Sequence, residues 1–212
     1  MNALTKIREP RPDCLPSQGL TAKATLRTPC GGRRMENIRK GDLIVTRDNG
    51  LQPVRMVWTR TVTEAEIAAD PALAPVCLIP RAIGPMMPQR ELSLAGGHRI
   101  LVPGYRLADV PDTESSLIPA HSIAEASDDA YVEKVAGEVT YYNIVFDAHQ
   151  VFAADGLPVE SYRPTQESLA QLDAPTVDSL FALFPDLGRK DAAFPTAGYR
   201  VPEMADYRPE FV

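Results

Sequence analysis

The alternation of apolar and polar positions predicts short β-strands along most of this chain. The clearest stretch spans residues 138–162, where positions 139–146 carry β-branched and aromatic side chains on both faces of an extended segment. That pattern predicts a strand buried on both sides. A turn at 147–148 leads to a second apolar run at 149–153, which ends at the turn formed by Asp155 and Gly156. We therefore predict a hairpin of two strands at the centre of an all-β domain.

The same patterning predicts further strands on the N-terminal side of this stretch. The predicted strands and short apolar segments cover residues 20–28, 43–46, 53–63, 76–79, 91–102 and 117–123. Gly96 and Gly97 interrupt the fifth of these, and turn residues at 29–32 and 48–50 separate the first three. Many short strands joined by turns are typical of an all-β fold.

Two helices are predicted in addition. Thr63 precedes a short helical pattern at 63–69 and has Glu66 three residues later, which is the spacing of a capping box. The apolar positions 177, 180, 181 and 184 have the periodicity of an amphipathic helix, which we expect to pack on the β domain. The predicted organisation is a flexible leader at 1–18, a β domain at 19–165 and a C-terminal tail at 166–212.

Composition narrows the function classes. The chain has 212 residues, of which 44% are hydrophobic and 24% are charged, as in ordinary globular proteins. No apolar run approaches the ~20 residues that a membrane helix needs, and the N-terminus lacks the apolar core of a secretion signal. These features predict a cytoplasmic protein that does not interact with membranes. A net charge of −6 argues against a nucleic-acid partner, because such binding needs a concentrated basic surface.

The cysteines indicate neither a disulfide framework nor a metal site. Cys14, Cys30 and Cys77 lie far apart and form no CxxC pair. An odd number of cysteines without a secretion signal favours free thiols over disulfides or zinc ligands. We expect neither a cofactor nor a bound metal, and the sequence names neither a partner nor an oligomeric state.

Four segments carry a family resemblance. They are GLTAKATLRTP at 19–29, MENIRKGDLIVTRDNGLQPVRMVW at 35–58, LAGGHRILVPG at 94–104 and YYNIVFDAHQVFAADGLPVESY at 141–162. In this order they resemble the bacterial branch of the Hint family, whose fold is shared by inteins and the autoprocessing part of hedgehog proteins. The resemblance implies a Hint-like β domain over roughly residues 19–165.

The resemblance also implies a chemistry, covalent self-processing. In the family, a Cys or Ser that opens the domain attacks the preceding carbonyl, and a histidine assists by protonating the leaving amide nitrogen. The position that matches the nucleophile is Gly19, which has no attacking group. His98 matches the assisting histidine, but Ala95 stands where a Ser or Thr is usual. These two departures predict a degenerate domain that acts as a non-catalytic binding or scaffold module.

Two enzymatic alternatives remain open. In an active autoprocessing domain, Thr21, Cys14 or a water molecule would replace the missing nucleophile, with His98 assisting. In a metal-dependent hydrolase, His98 and His149 would share a site with Asp147 and Asp155. Against these stands the interpretation that His98 is a histidine held by hydrogen bonds at a strand entrance and that Asp147 and Asp155 only shape turns.

Overall fold

The computed structural model describes residues 17–189, 194–202 and 206–209, and it shows a mostly β protein. The strands are β1 (Leu20–Thr21), β2 (Thr25–Thr28), β3 (Gly31–Arg34), β4 (Leu43–Val45), β5 (Leu51–Pro53), β6 (Met56–Val62), β7 (Pro75–Leu78), β8 (Leu92–Ala95), β9 (Arg99–Pro103), β10 (Ser115–Pro119), β11 (Ala130–Val132), β12 (Val139–Val145), β13 (Val151–Ala154) and β14 (Leu157–Glu160). The α-helices are α1 (Glu64–Ala69), α2 (Ala120–Ala126), α3 (Gln166–Leu169) and α4 (Ala174–Leu183). None of the helices in the described part of the chain is long and apolar enough to cross a membrane.

The strands form two six-stranded sheets and one small two-stranded sheet. The first sheet has the order β11-β7-β8-β1-β12-β6, and the second has the order β10-β9-β14-β13-β2-β3. All the pairs in both sheets are antiparallel. The remaining strands, β4 and β5, pair with each other. The predicted all-β class is confirmed.

One predicted hairpin is wrong. β12 and β13 do not pair, because β12 lies between β1 and β6 in the first sheet, whereas β13 lies between β14 and β2 in the second. The hairpin of this region is instead β13–β14. It turns at Asp155 and Gly156, which have φ values of +47° and +84°. The segment at 147–148 therefore carries the chain from one sheet to the other.

The core lies between the two main sheets. β12 is buried along most of its length, as its two-sided apolar pattern predicts, and Tyr141 and Val145 are completely inaccessible to solvent. The main apolar cluster draws side chains from both sheets and includes Leu20, Leu26, Leu78, Leu94, Ile100, Ile144, Phe146, Phe152 and Val159. This shared core fixes how the strands of one sheet face those of the other.

The helices match the sequence pattern in part. α1 has the predicted capping box, in which Thr63 and Glu66 each accept a hydrogen bond from the other's backbone amide. In α4, Leu180 is fully buried against Tyr162 and Val145, but Phe181 is 37% exposed, so only part of the predicted apolar face reaches the core. The predicted short apolar segment at 117–123 contains the end of β10 and the start of α2.

The chain after α4 packs partly on the second sheet and partly on the apolar cluster around Leu180. We call residues 194–202 the C-terminal strap; it lies beside the outer edge of β10 and over the start of β13. Further on, the amide of Ala108 donates to the carbonyl of Asp206, and the amide of Arg208 donates to the carbonyl of Arg106. Most of the predicted leader lies outside the described residues, as does Cys14.

Candidate functional site

The backbone around Gly19 is inserted between β8 and β12. The carbonyl of Gly19 accepts a hydrogen bond of 2.9 Å from the amide of Ala95, and that of Ser17 accepts one of 3.1 Å from the amide of Gly97. On the other side, the side-chain amide of Asn143 donates to the carbonyl of Gln18 at 3.2 Å. The Gln18–Gly19 peptide group is therefore held on both sides.

His98 completes this arrangement. It lies at the break between β8 and β9, where its own amide donates to the Ala95 carbonyl and its side chain turns toward Gly19. The amide of Gly19 donates a hydrogen bond of 3.1 Å to His98 Nδ1. The family resemblance places Gly19 at the nucleophile position and His98 at the position of the assisting histidine, and the structure brings the two residues into direct contact.

Gly19 occupies a position that a side chain does not fit. Its φ is +127°, a value that L-residues other than glycine rarely adopt. A Cβ atom there would lie 2.9 Å from Asn143 Nδ2 and 2.9 Å from Tyr141 Cβ. Both the backbone and the neighbours therefore exclude a Cys or Ser in the present conformation.

His98 is neutral and has a defined tautomer. It is 4% exposed, and burial lowers its pKa to about 4, although the nearby Glu160 carboxylate opposes this shift. Because Nδ1 accepts the Gly19 amide proton, the neutral ring carries its own proton on Nε2. Nε2 is buried and has no hydrogen-bond partner among the described residues. His98 thus offers a lone pair, not a proton, to the Gly19 nitrogen.

A buried charge cluster lies next to His98. Glu160, at the end of β14, is 3% exposed and lies 3.3 Å from Arg99 Nη1 and 3.2 Å from His149 Nε2. Burial alone would raise the pKa of Glu160, but the hydrogen bond from His149 and the charge of Arg99 outweigh it and hold the pKa below its usual range. The carboxylate is therefore ionised at neutral pH, so that His149 donates through Nε2.

The other predicted site residues lie elsewhere or make other contacts. The Thr21 hydroxyl donates to the Ser93 carbonyl at 2.8 Å. Asp147 is exposed and lies 3.4 Å from Arg55 Nε, while Asp155 accepts a hydrogen bond from the amide of Thr25 at 2.9 Å. Neither carboxylate joins His149, so the predicted grouping with the two histidines is not formed.

The described residues offer no metal centre. Nowhere in the part of the chain that the structure describes do three or more His, Cys, Asp or Glu side chains come together in a way that could hold a metal ion. His121 lies half-buried in α2 with Nδ1 3.1 Å from the Gly96 carbonyl oxygen. Cys30 is exposed and Cys77 is buried, and both are free thiols.

Sequence reasoning missed Glu160 and Arg99 as parts of the site. The available signal was the position of Glu160 between the apolar residues Leu157, Val159 and Tyr162, where a charge is expected only with a partner. Arg99 follows His98 directly, but nothing in the sequence shows that β9 and β14 are neighbours. That pairing, Val159 opposite Ile100, supplies the partner.

The fold and the site together define an all-β domain in which a buried histidine binds the backbone amide at the domain's opening strand. The family model described as "Hint domain" matches residues 18–166. The chain belongs to the Hint domain family.

Solved structures of inteins and of an intein-like domain are similar to this chain at low identity. A bacterial intein-like domain from Clostridium thermocellum is 14% identical, with a TM-score of 0.43 over 69% of this chain and 99% of that one. The gp41-1 intein is 13% identical, with a TM-score of 0.38 over 68% and 98%. The Ssp DnaB mini-intein variant M86 is 11% identical, with a TM-score of 0.44 over 72% and 99%. No curated protein sequence matches this chain.

Proposed function

We propose that this Hint domain is a non-catalytic binding or scaffold module. The observation that carries the proposal is Gly19, which contacts His98 where the family resemblance places the nucleophile, but has no side chain. A nucleophile needs a thiol or hydroxyl within reach of the Gln18 carbonyl. The space next to Gly19 is already filled by Asn143 and Tyr141.

The state of His98 supports the same proposal. In the implied chemistry, the histidine protonates the departing nitrogen, and for that Nδ1 must carry a proton. Here Nδ1 accepts a hydrogen bond, and the pKa of about 4 keeps the ring neutral near pH 7. As observed, His98 holds the strand in place. We further propose that the module acts in the cytoplasm with a protein partner, and that neither nucleic acid nor membrane takes part.

Active autoprocessing is the second candidate, and one observation favours it. The hydrogen bond between the Gly19 amide and His98 involves the nitrogen that would leave when the Gln18–Gly19 bond breaks. A thiol, hydroxyl or water oxygen would bond to the Gln18 carbonyl carbon, and the Gly19 nitrogen would depart with a proton. Thr21 already donates its hydroxyl to Ser93, and Cys14 lies outside the described residues. No observation favours a metal-dependent hydrolase.

The intact mass of the chain tests the choice. The chain is expressed with a tag at each end, and its mass is measured before and after incubation with dithiothreitol or hydroxylamine, which capture thioesters and esters. We expect one species at the full-length mass under every condition.

The histidine variants make the result specific. Fragments that correspond to cleavage between Gln18 and Gly19, present in the His121→Ala control and lost in His98→Ala, would show autoprocessing and overturn the proposal. His121 is a suitable control because it lies in α2, where its ring contacts the Gly96 carbonyl oxygen and not Gly19 or Glu160.

A further inference from the structure

The C-terminal strap binds the second sheet through its backbone. The carbonyl of Pro195 accepts from the amide of His149 at 2.9 Å, and the amide of Ala197 donates to His149 Nδ1 at 3.5 Å. Further along, the carbonyl of Arg200 accepts from the amide of Leu117 at 2.9 Å, which places the strap beside the outer edge of β10. This is the geometry in which an extended peptide adds to the edge of a sheet.

Three side chains anchor the strap. Phe194 packs edge-on against Phe184, with ring centroids 5.5 Å apart, and is buried against Leu180. Ala197 and Tyr199 pack on an apolar patch formed by Leu101, Leu117 and Val151. The Tyr199 hydroxyl donates to the carboxylate of Asp48 at 2.7 Å. Apolar anchors and one charge-assisted hydrogen bond are typical of specific peptide recognition.

The other side chains of the strap face solvent. Pro195, Thr196, Gly198, Arg200 and Val201 are all exposed. The strap also lies outside residues 18–166, the part of the chain that the Hint domain model matches, whereas β10, β13 and His149 lie inside it. The surface beneath Ala197, Tyr199 and Arg200 is thus built by the domain, whereas Phe194 packs on Leu180 and Phe184, which follow the domain in the chain.

We propose that the surface beneath the C-terminal strap is a peptide-binding groove for a partner protein, and that the strap occupies it in cis. The proposal rests on the proposed binding function and names its site. The partner segment has the chemistry of the strap: an extended stretch with an aromatic residue followed by proline, a small residue, and a tyrosine that reaches Asp48. Binding replaces the strap's hydrogen bonds to His149 and Leu117 with equivalent ones from the partner.

A synthetic peptide with the sequence of residues 194–202, FPTAGYRVP, tests the proposal on the full chain. In the variant Phe194→Ala/Tyr199→Ala the strap loses its anchors, and fluorescence anisotropy of a labelled peptide should show saturable binding. The wild-type chain should bind it at least about tenfold more weakly, because a tethered competitor acts at an effective concentration in the millimolar range. The same peptide with Ala at its Phe and Tyr positions should not bind.

Asp48→Asn tests the same contact from the side of the groove, because Asp48 accepts the hydrogen bond of the Tyr199 hydroxyl. In the background of the strap variant it should weaken the peptide by at least threefold, because the tyrosine hydroxyl then meets a neutral amide. The substitution Asp178→Asn, on the exposed side of α4, should leave peptide binding unchanged. The proposal would be overturned if the peptide with Ala at its Phe and Tyr positions bound as tightly as FPTAGYRVP, or if binding of FPTAGYRVP did not saturate.

NMR of the isotope-labelled wild-type chain keeps the test independent of the variants' folding. Excess unlabelled peptide should shift the Ala197 amide signal to its random-coil position while the Leu117 amide remains protected, because a peptide carbonyl then replaces that of Arg200. Unchanged signals at millimolar peptide would contradict the proposal.

If the chain forms a concentration-dependent dimer that the peptide dissociates, the groove binds the strap of a second copy, and the proposal of a different partner protein is wrong. If the strap variant does not bind the peptide and the mass experiment shows only the full-length chain, the proposed groove is wrong but the proposed non-catalytic function stands. Cleavage in the mass experiment would overturn the non-catalytic function and, with it, the proposal that rests on it.

Discussion

At Gly19, both the backbone conformation and the packing of neighbouring residues require a glycine. At φ +127° an L-residue is strained, and a Cβ would also overlap Asn143 and Tyr141. We therefore expect Gly19→Ala to lower the free energy of unfolding by about 3 kcal/mol, with strain and overpacking both contributing. Gly137→Ala is the matched control, since its φ is +98° and nothing lies within 4 Å of its added Cβ. Urea denaturation should show that Gly137→Ala lowers the free energy of unfolding by only about 1 kcal/mol. If the two variants lost equal stability, the neighbours of Gly19 would not crowd an added Cβ.

His98 makes a second prediction at the scale of a single residue. Its folded-state pKa of about 4 lies below the unfolded value near 6.5, so in this interval the unfolded chain binds the extra proton and stability falls as the pH falls. Between pH 7 and pH 5 the wild-type protein should lose roughly 2 kcal/mol through this residue. The groups acting on the ring are Glu160, Arg99 and His149, and the carboxylate stays ionised over this range because its pKa is lowered.

Urea denaturation at both pH values tests this in His98→Asn, whose side-chain oxygen can still accept from the Gly19 amide. The variant should lose less stability than the wild type over the interval, and His121→Asn should behave as the wild type does. An unchanged pH dependence in His98→Asn would show that the ring is not held neutral by the fold.

Helix α4 shows how neighbouring residues of one element differ. Leu180 and Phe181 both belong to the apolar face that the sequence predicts, yet the first is fully buried and the second is 37% exposed. Leu180→Ala should therefore cost about 3 kcal/mol, because it leaves a cavity beside Tyr162 and Phe194. Phe181→Ala should cost less than about 1 kcal/mol. Thermal unfolding of both variants checks this, and a larger loss for Phe181 would mean that the helix presents another face to the domain.

The elements show what local sequence determines. The capping box of α1, the break at Gly96 and Gly97 and the turn at Asp155 and Gly156 were predictable, because each depends on residues a few positions apart. The false hairpin between β12 and β13 came from the same local rule applied across 147–148. A turn between two strands does not reveal that they enter different sheets, since that choice depends on partners about a hundred residues away.

Some residues of the candidate site could be predicted from the sequence and others could not. His98 and Gly19 were predictable because each lies in a segment that resembles the Hint family. Glu160 and Arg99 were not, because their ion pair depends on β14 pairing with β9 and on the burial of the carboxylate. Sequence identifies residues that carry a family's pattern, but a buried charge and its partner emerge only from the three-dimensional arrangement.

At the scale of the whole molecule, the structure predicts an uneven distribution of stability. β12 is buried between β1 and β6, whereas the C-terminal strap is held on the surface of the protein by three side-chain anchors. Native-state hydrogen exchange should therefore show the amides of β12 opening only with global unfolding and with a steep dependence on denaturant. The Ala197 amide should exchange at least about 100-fold faster with little such dependence, because releasing the strap exposes a small surface. The His149 amide, which donates to Pro195, should open together with Ala197. If Ala197 instead shared the free energy and denaturant slope of β12, the strap would be an integral part of the fold, and no peptide could displace it.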